Sequence, residues 1–269
     1  MIFHISRVTR FWYAAPINRI VGDPHVVLNT DVLSDKPDLA IIICEIFATW
    51  GSIERGLSGL MVRLLGAKAA PAHAIFSILQ TQSLQSKALE AAAKSSLDES
   101  SFEAFSAYMA VIESVQKIRN RLAHWAWGSC ENRPDLLVLA DPAMLKKRDT
   151  RAAAYFQSLK PGELNLLETW NAIQFDDSYI LAYTRADLER ELHDLQEADA
   201  ISTMFGMFLD PSIGLAHAKA MQLPESLEEI RTLTFARLSE RRLFREAMDR
   251  VCAKRKDAPQ PTRSGSAAP

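Results

Sequence analysis

Arg119, Asn120 and His124 stand close together in the stretch Arg119-Asn120-Arg121-Leu122-Ala123-His124, in the order Arg-Asn-x-x-x-His. Histidine moves protons near neutral pH, and arginine presents a fork of donors that matches phosphate oxygens. Cleaving an RNA phosphodiester with the strand's own 2'-hydroxyl requires two things of a protein. One is a group to carry the proton of the nucleophile or leaving group; the other is fixed positive charge on the phosphate as its negative charge grows. His124 suits the first task and Arg119 the second. Asn120 suits orienting the imidazole or binding a phosphate oxygen. No metal enters this scheme, and Cys44, Cys130 and Cys252 lie far apart with no C-x-x-C pair. Neither a metal nor a cofactor is expected.

The motif must be held by a helix. Ser100-x-x-Glu103 has the form of a capping box, and Tyr108, Val111, Val115, Ile118 and Leu122 follow at helical spacing, with an end expected near Gly128. At about 100° per residue, Val111, Val115, Ile118 and Leu122 fall within roughly one 60° arc. Asn120 and His124, one turn apart, point to nearly the opposite side with Glu113 and Lys117. His124 is therefore expected off the apolar stripe. Arg119 sits at its edge, about 140° from His124, so one helix does not bring the two heads together unless Arg119 curls around. A second copy of the helix would complete the site.

The other elements read as mainly helical. Asp35 and Pro37 supply a cap and a first-turn proline for a helix through Ile41, Cys44, Phe47, Ile53, Leu57, Leu60 and Leu64 to a stop at Gly66. A second helix is expected from about Ala72 to Ser95. The short apolar runs Leu136 to Leu139 and Tyr179 to Tyr183 read as two strands, with a helical or irregular stretch between them that turns at Pro161-Gly162. Thr184 and Asp187 then open a helix through Leu188, Leu192, Leu195, Ile201, Phe205 and Phe208. The expected fold is an antiparallel helical bundle of four to six helices with a short two-strand insertion. Its parts are an N-terminal extended arm (1–35), the bundle (36–210) with the insertion at about 129–183, a C-terminal amphipathic basic helix (211–256, helical from about Pro224) and a disordered tail (257–269) rich in Pro, Ser, Gly and Ala.

A chain of 269 residues with 48% hydrophobic content has enough apolar side chains for a sizeable core. A formal net charge of -2 gives no long-range field to gather nucleic acid, so any RNA contact must rest on a local patch. The longest apolar run, Leu39 to Ala48, carries Glu45 and falls short of the roughly 20 residues that span a bilayer. Around Phe11-Trp12-Tyr13 stand Arg7, Arg10 and Arg19, without the apolar run and cleavage site of a secretory signal. A cytoplasmic location without membrane contact is the expectation.

Three further features bear on the site. Arg121, Trp125 and Trp127 are candidate substrate-binding residues; the two tryptophans serve either to stack bases or to pack a core or dimer interface. Glu54 is a candidate for orienting Arg119, or is an ordinary solvated or ion-paired carboxylate. The basic stretch Arg237, Arg241, Arg242, Arg245, Arg250, Lys254, Arg255 and Lys256 either guides RNA by neutralising phosphates or is a solvated helix face with Glu240, Glu246 and Asp249 as intrahelical partners. His73 and His193 have no neighbouring ligand set and read as non-catalytic.

The Arg-Asn-x-x-x-His order late in a bundle helix resembles the R-x(4-6)-H motif of the HEPN superfamily, in which a polar residue often follows the arginine. The resemblance spans about residues 37 to 210, though its specific part is six residues long. It implies a helical bundle whose motif helices face one another in a homodimer, with paired arginines and histidines forming a composite, metal-independent ribonuclease site. Such proteins include toxins of toxin-antitoxin pairs, with a cognate antitoxin protein as partner, and abortive-infection proteins of antiviral defence. Other members of the superfamily lack nuclease activity and act as interaction domains for dimerisation or for binding a nucleotide or partner protein. One departure is visible: the subgroup paired with nucleotidyltransferase antitoxins often carries Tyr two residues after the histidine, and that position here is Ala126.

Overall fold

The computed structural model describes residues 14–21, 24–160, 165–174, 176–213, 215 and 226–256. The aromatic cluster at Phe11-Trp12-Tyr13, the Pro161-Gly162 turn, the Pro224 helix start and the 257–269 tail lie outside the described residues. The structure is mainly helical with a small antiparallel sheet; among the described residues there are nine α-helices and five strands. The helices are α1 (Pro37–Leu65), α2 (Ala69–Ile78), α3 (Gln82–Ser96), α4 (Glu99–His124), α5 (Pro142–Ser158), α6 (Leu166–Ile173), α7 (Arg185–Leu209), α8 (Leu227–Glu240) and α9 (Arg242–Lys256). The strands are β1 (Ala15–Pro16), β2 (Val26–Leu28), β3 (Ala126–Cys130), β4 (Arg133–Ala140) and β5 (Ile180–Tyr183). The chain divides into two compact units, residues 1–48 with 117–193, and residues 49–116 with 194–269.

The first unit is built on the sheet, ordered β1-β5-β4-β3-β2 and antiparallel throughout. The two expected strands are β4 and β5, paired with Leu137 opposite Tyr183 and Ala140 opposite Ile180. Three more strands enlarge the sheet beyond the expected pair. β1 and β2 come from the segment expected to be an extended arm, and β3 from the segment expected to end the motif helix. Each is two to five residues long, too short for an alternation pattern to show. β4 carries five consecutive buried residues, Leu136 to Ala140, as a strand covered on both faces does. One face packs Leu136, Val138, Ala140, Ile180 and Ala182 against Ile17 and Val21, with Leu145 of α5 beside them.

The described elements of the second unit are all helices. α1 closes with bonds from Gly66 N to Arg63 O and from Ala67 N to Val62 O, with Gly66 at φ 56°, as its glycine stop implied. The expected Ala72–Ser95 helix is two helices. Leu79 N turns back onto Phe76 O, and the Thr81 side chain accepts from Leu84 N to start α3 afresh. α4 is capped by Asp98, which accepts from Ser101 N at 2.8 Å, in place of the expected Ser100–Glu103 box. Its carboxyl is held below the ordinary value, first by that backbone N–H. The expected C-terminal helix is also broken, at Arg241, where Glu197 of α7 accepts from Leu243 N and caps α9.

The core of this unit is a run of rings. Tyr108 stacks on Phe205 at 4.7 Å between centroids and 7° between planes, and Phe205, Phe208, Phe235 and Phe244 continue the contact from α7 into α8 and α9. The Tyr108 hydroxyl, fully buried, shares a 3.0 Å hydrogen bond with Ser202 Oγ, and burial pushes its pKa upward. Gly56 of α1 abuts the Ser202 hydroxyl, since a Cβ there would stand 2.4 Å from Ser202 Oγ.

Gly56→Ala therefore forces the Ser202 hydroxyl off Tyr108 or pushes α1 away from α7. A loss of about 1–3 kcal/mol is expected in urea unfolding. Ser202→Ala leaves an added Cβ facing only Ser202 Cβ, at 3.6 Å. The double variant should therefore be less unstable than the sum of its parts, and simple additivity would show that the two residues do not meet.

Candidate functional site

The whole Arg119–Trp127 segment belongs to the first unit. Val111, Val115, Ile118 and Leu122 are buried at 4% exposure or less, as their arc required. His124 is the last residue of α4 and is solvent-exposed, whereas Arg119 and Asn120 are half-buried. Arg119 donates from Nη1 to Asn120 Oδ1 at 3.2 Å, so the two neighbours act on each other's orientation. In one chain His124 follows Arg119 by five residues, about 7.5 Å along the axis and about 140° around it.

The helix ends abruptly. Trp125 N still bonds back to Arg121 O, and from Ala126 onward the backbone pairs with β4. Trp127 Nε1 donates to Leu122 O at 2.9 Å, satisfying one of the carbonyls a helix leaves open at its C-terminus. The helix was expected to run to near Gly128, but that glycine has a strand role. A Cβ there would stand 2.6 Å from Val27 O and 2.9 Å from Leu28 Cδ2, so only glycine lets β2 lie against β3 at this point.

Arg121 holds this junction together. Its Nη1 donates to Tyr183 Oη at 3.1 Å, and its guanidinium lies 5.4 Å from the centre of the Trp125 ring. Burial pushes the Tyr183 hydroxyl up to about 12 from its ordinary 10.0, against the opposing charge and hydrogen bond of Arg121. Tyr183 was missed in the sequence. It ends an apolar strand, and nothing local signals that it accepts from an arginine 62 positions earlier. Beyond it, Thr184 and Asp187 open α7 as expected: Asp187 Oδ2 accepts from Thr184 N at 2.8 Å and from Thr184 Oγ1 at 2.6 Å.

The three candidate substrate-binding residues thus differ in freedom. Arg121 and Trp125 face each other, Trp127 supplies a capping bond, and all three are half-buried. Glu54, the candidate orienting carboxylate, belongs to the second unit and accepts from Trp50 Nε1 at 2.6 Å. His73 shares a 2.6 Å bond between its Nδ1 and Ser58 Oγ, also in the second unit. In the basic α8–α9 stretch two arginines are engaged. Arg242 pairs with Asp194 and Glu197, and Arg255 with Glu99 and Glu103. Leu238, Phe244 and Ala247 are core residues, so removing this stretch from Arg237 onward would also remove core.

Among the described residues no group of three His, Cys, Asp or Glu side chains is placed to hold a metal ion. No helix among them is long and apolar enough to cross a membrane. Comparison with known protein families, with curated proteins and with solved structures finds no match to this chain.

The raised Tyr183 pKa has a signed consequence. The folded state favours the protonated phenol, so its contribution is complete below the ordinary value near 10 and is lost as pH rises through about 12. Urea unfolding from about pH 9 to about pH 12 should show wild-type stability falling more steeply than that of Tyr183→Phe. At neutral pH that variant should be less stable by about 1–2 kcal/mol, because Arg121 loses its acceptor. Parallel curves would mean that Tyr183 titrates as freely in the fold as out of it.

Proposed function

We propose that this chain is a metal-independent RNA endonuclease of the HEPN type, acting as a homodimer whose motif helices face one another. The observation that carries the reading is the placement of the motif. A solvent-exposed His124 ends a firmly anchored helix, with Arg119 and Asn120 half-buried one turn before it. His124 is the proton carrier, Arg119 stabilises the charge that builds on the phosphate, and Asn120 orients Arg119 through the bond they share. In this scheme the 2'-oxygen of the RNA attacks phosphorus and its proton leaves to a base. The P–O5' bond breaks as the 5'-oxygen takes a proton, and a 2',3'-cyclic phosphate remains.

The helix terminus sets a condition on this chemistry. The C-terminal end of a helix is its negative pole, which repels a phosphate. Arg119 must outweigh it, and a facing copy would bring its own Arg119 to the phosphate from outside that pole without changing the fold. The same arrangement answers the angular separation of Arg119 and His124, because each can then serve a site completed by its partner. A role as a toxin or defence effector, with an antitoxin as partner and the cytoplasm as its place, belongs to this proposal as what the resemblance implies.

Cleavage of a single-stranded RNA should persist in EDTA, leave a 2',3'-cyclic phosphate or its opened product, and spare DNA of the same sequence. His124→Ala and Arg119→Ala should each lower the rate at least about a hundredfold. Loss of cleavage with chelator and its return with divalent metal would sink the mechanism, as would a folded His124→Ala protein that cuts at the wild-type rate. The composite arrangement has its own test. Half of the dimers in an equal mixture of the two variants carry one intact site, so about a quarter of wild-type activity should return. A mixture as inactive as its parts would place both residues of each site on one chain.

A further inference from the structure

Within the first unit, α5 and the segment leading into β5 enclose a cleft of about 250 Å³. It is slightly smaller than the roughly 300–1,000 Å³ usual for small-molecule pockets, and suits a single base or ribose phosphate better than a dinucleotide cofactor. Its walls are tied together. Arg151 of α5 donates from Nε to Ala172 O at 3.0 Å and from Nη2 to Gln174 O at 2.6 Å, and Asp141 N bonds to Tyr179 O at 3.3 Å. Met144, Leu145 and Ile180 make an apolar floor, Tyr179 stands 43% exposed at the rim, and Lys147 and Arg148 line the α5 side.

The charges divide unevenly between structure and solvent. Asp141 is occupied as the cap of α5, accepting from Ala143 N at 2.8 Å, and Asp176 accepts from Ser178 N and Oγ. Arg148 donates from Nε and Nη2 to Asp149 Oδ1, a surface ion pair that costs little to exchange for a phosphate, and Lys147 is exposed. A ligand entering the cleft thus meets the Lys147 and Arg148 heads on the α5 side, the two hydrogen-bonded carboxylates Asp141 and Asp176 at the ends of the flanking segments, an aromatic face at the rim and an apolar floor. That combination matches a phosphate, its sugar and a base.

Strand register relates this cleft to the motif. Ala126, Ala140 and Ile180 are consecutive partners across β3, β4 and β5, and all three belong to the packed face that includes Leu145. His124 precedes Ala126 by two residues, while Ala140 and Ile180 line the cleft. With strands about 4.8 Å apart, the cleft lies within roughly 15 Å of the end of α4. Trp127, next to Ala126 on β3, belongs to the opposite face by strand alternation, and its Nε1 donates to Leu122 O of α4. An RNA strand touching both sites would pass around this end of the sheet, by Trp125 and Asp141.

We propose that the cleft is a subsite for one nucleotide unit of the RNA strand, with its phosphate on Lys147 and Arg148 and its base against Tyr179 and Met144. The assignment rests on RNA being the ligand, as in the function proposed above. The probe is a labelled 2'-O-methyl RNA oligonucleotide, which offers no free 2'-hydroxyl to attack, so binding is read whether or not the chain cleaves. Titrated against the full-length protein, Lys147→Ala/Arg148→Ala should weaken binding about tenfold and reduce the dependence of log K on log salt by about one, as loss of one phosphate contact does. Tyr179→Ala should weaken it several-fold with the salt slope unchanged, as loss of stacking does. A nucleoside monophosphate should compete on the wild type and lose that ability on the double variant. Arg133→Ala, which removes an exposed arginine paired with Asp135, serves as the control. Binding by the double variant equal to wild type, or an equal loss in the control, overturns the subsite. If wild-type protein cleaves RNA while binding is unmoved by Lys147 and Arg148, only the cleft assignment falls. If binding depends on them but no RNA is cut, the nuclease reading falls and the cleft stands. A chain that does not bind the oligonucleotide at all removes both.

Discussion

The first unit depends on one peptide's width of chain, at Trp125, where a helix of 26 residues becomes a strand. A helix terminus leaves its last carbonyls without partners, and a strand beginning at once must find a sheet to join. Both needs are met within three residues. Trp127 returns its indole N–H to Leu122 O, and Ala126 pairs with Ala140. A longer connection would let the end of α4 fray, and His124 would move with it. The short connection turns the motif's last residue into a fixed point between a helix and a five-stranded sheet.

Arg121 enforces that junction from the side. Tyr183 is buried, and a buried hydroxyl without a partner costs about 1–3 kcal/mol. The guanidinium supplies the partner and lays its flat face near Trp125. The arginine spans the helix, the junction residue and β5, so its charge is already committed to structure. On the proposed reading, chemistry within the Arg-Asn-Arg run falls to Arg119, which donates to the neighbouring Asn120 amide. Two arginines two residues apart on one helix face different ways, so on that reading one would be an anchor and the other a reagent.

Long-period features of the fold were legible in the sequence, whereas features made by distant partners were not. The stripe of Val111, Val115, Ile118 and Leu122 located α4 and placed His124 away from the core, because 3.6-residue periodicity over several turns is a strong signal. The Gly66 stop and the Thr184–Asp187 start were read from capping chemistry that is local by nature. Where the chain breaks a helix, the cause lay elsewhere. Leu243 N is capped by Glu197, 46 positions away, so α8 and α9 read as one helix. β1 to β3 are strands because β4 and β5 offer them partners, and strands of two to five residues carry no pattern of their own. Gly128 looked like a helix stop; the carbonyl of Val27 determines its real constraint, and no pairing with a segment a hundred residues earlier can be read from glycine alone.

On the proposed reading, the same junction explains why the site would need two copies. A reacting phosphate beside His124 faces the open carbonyl end of α4, a region of partial negative charge. Arg121 cannot swing out to offset it without leaving Tyr183 unsatisfied, and Arg119 emerges about 140° around the helix from His124. One chain can therefore supply a proton carrier or a phosphate clamp at a given point, but its geometry works against both at once. A two-fold axis through facing helices would resolve this without rebuilding either chain: the histidine of one protomer would meet the arginine of its partner, and each negative pole would be opposed by the Arg119 guanidinium of the facing helix. Anchoring α4 so firmly to the sheet would then be a condition of catalysis, because a composite site is only as well aligned as the two helix ends that carry it.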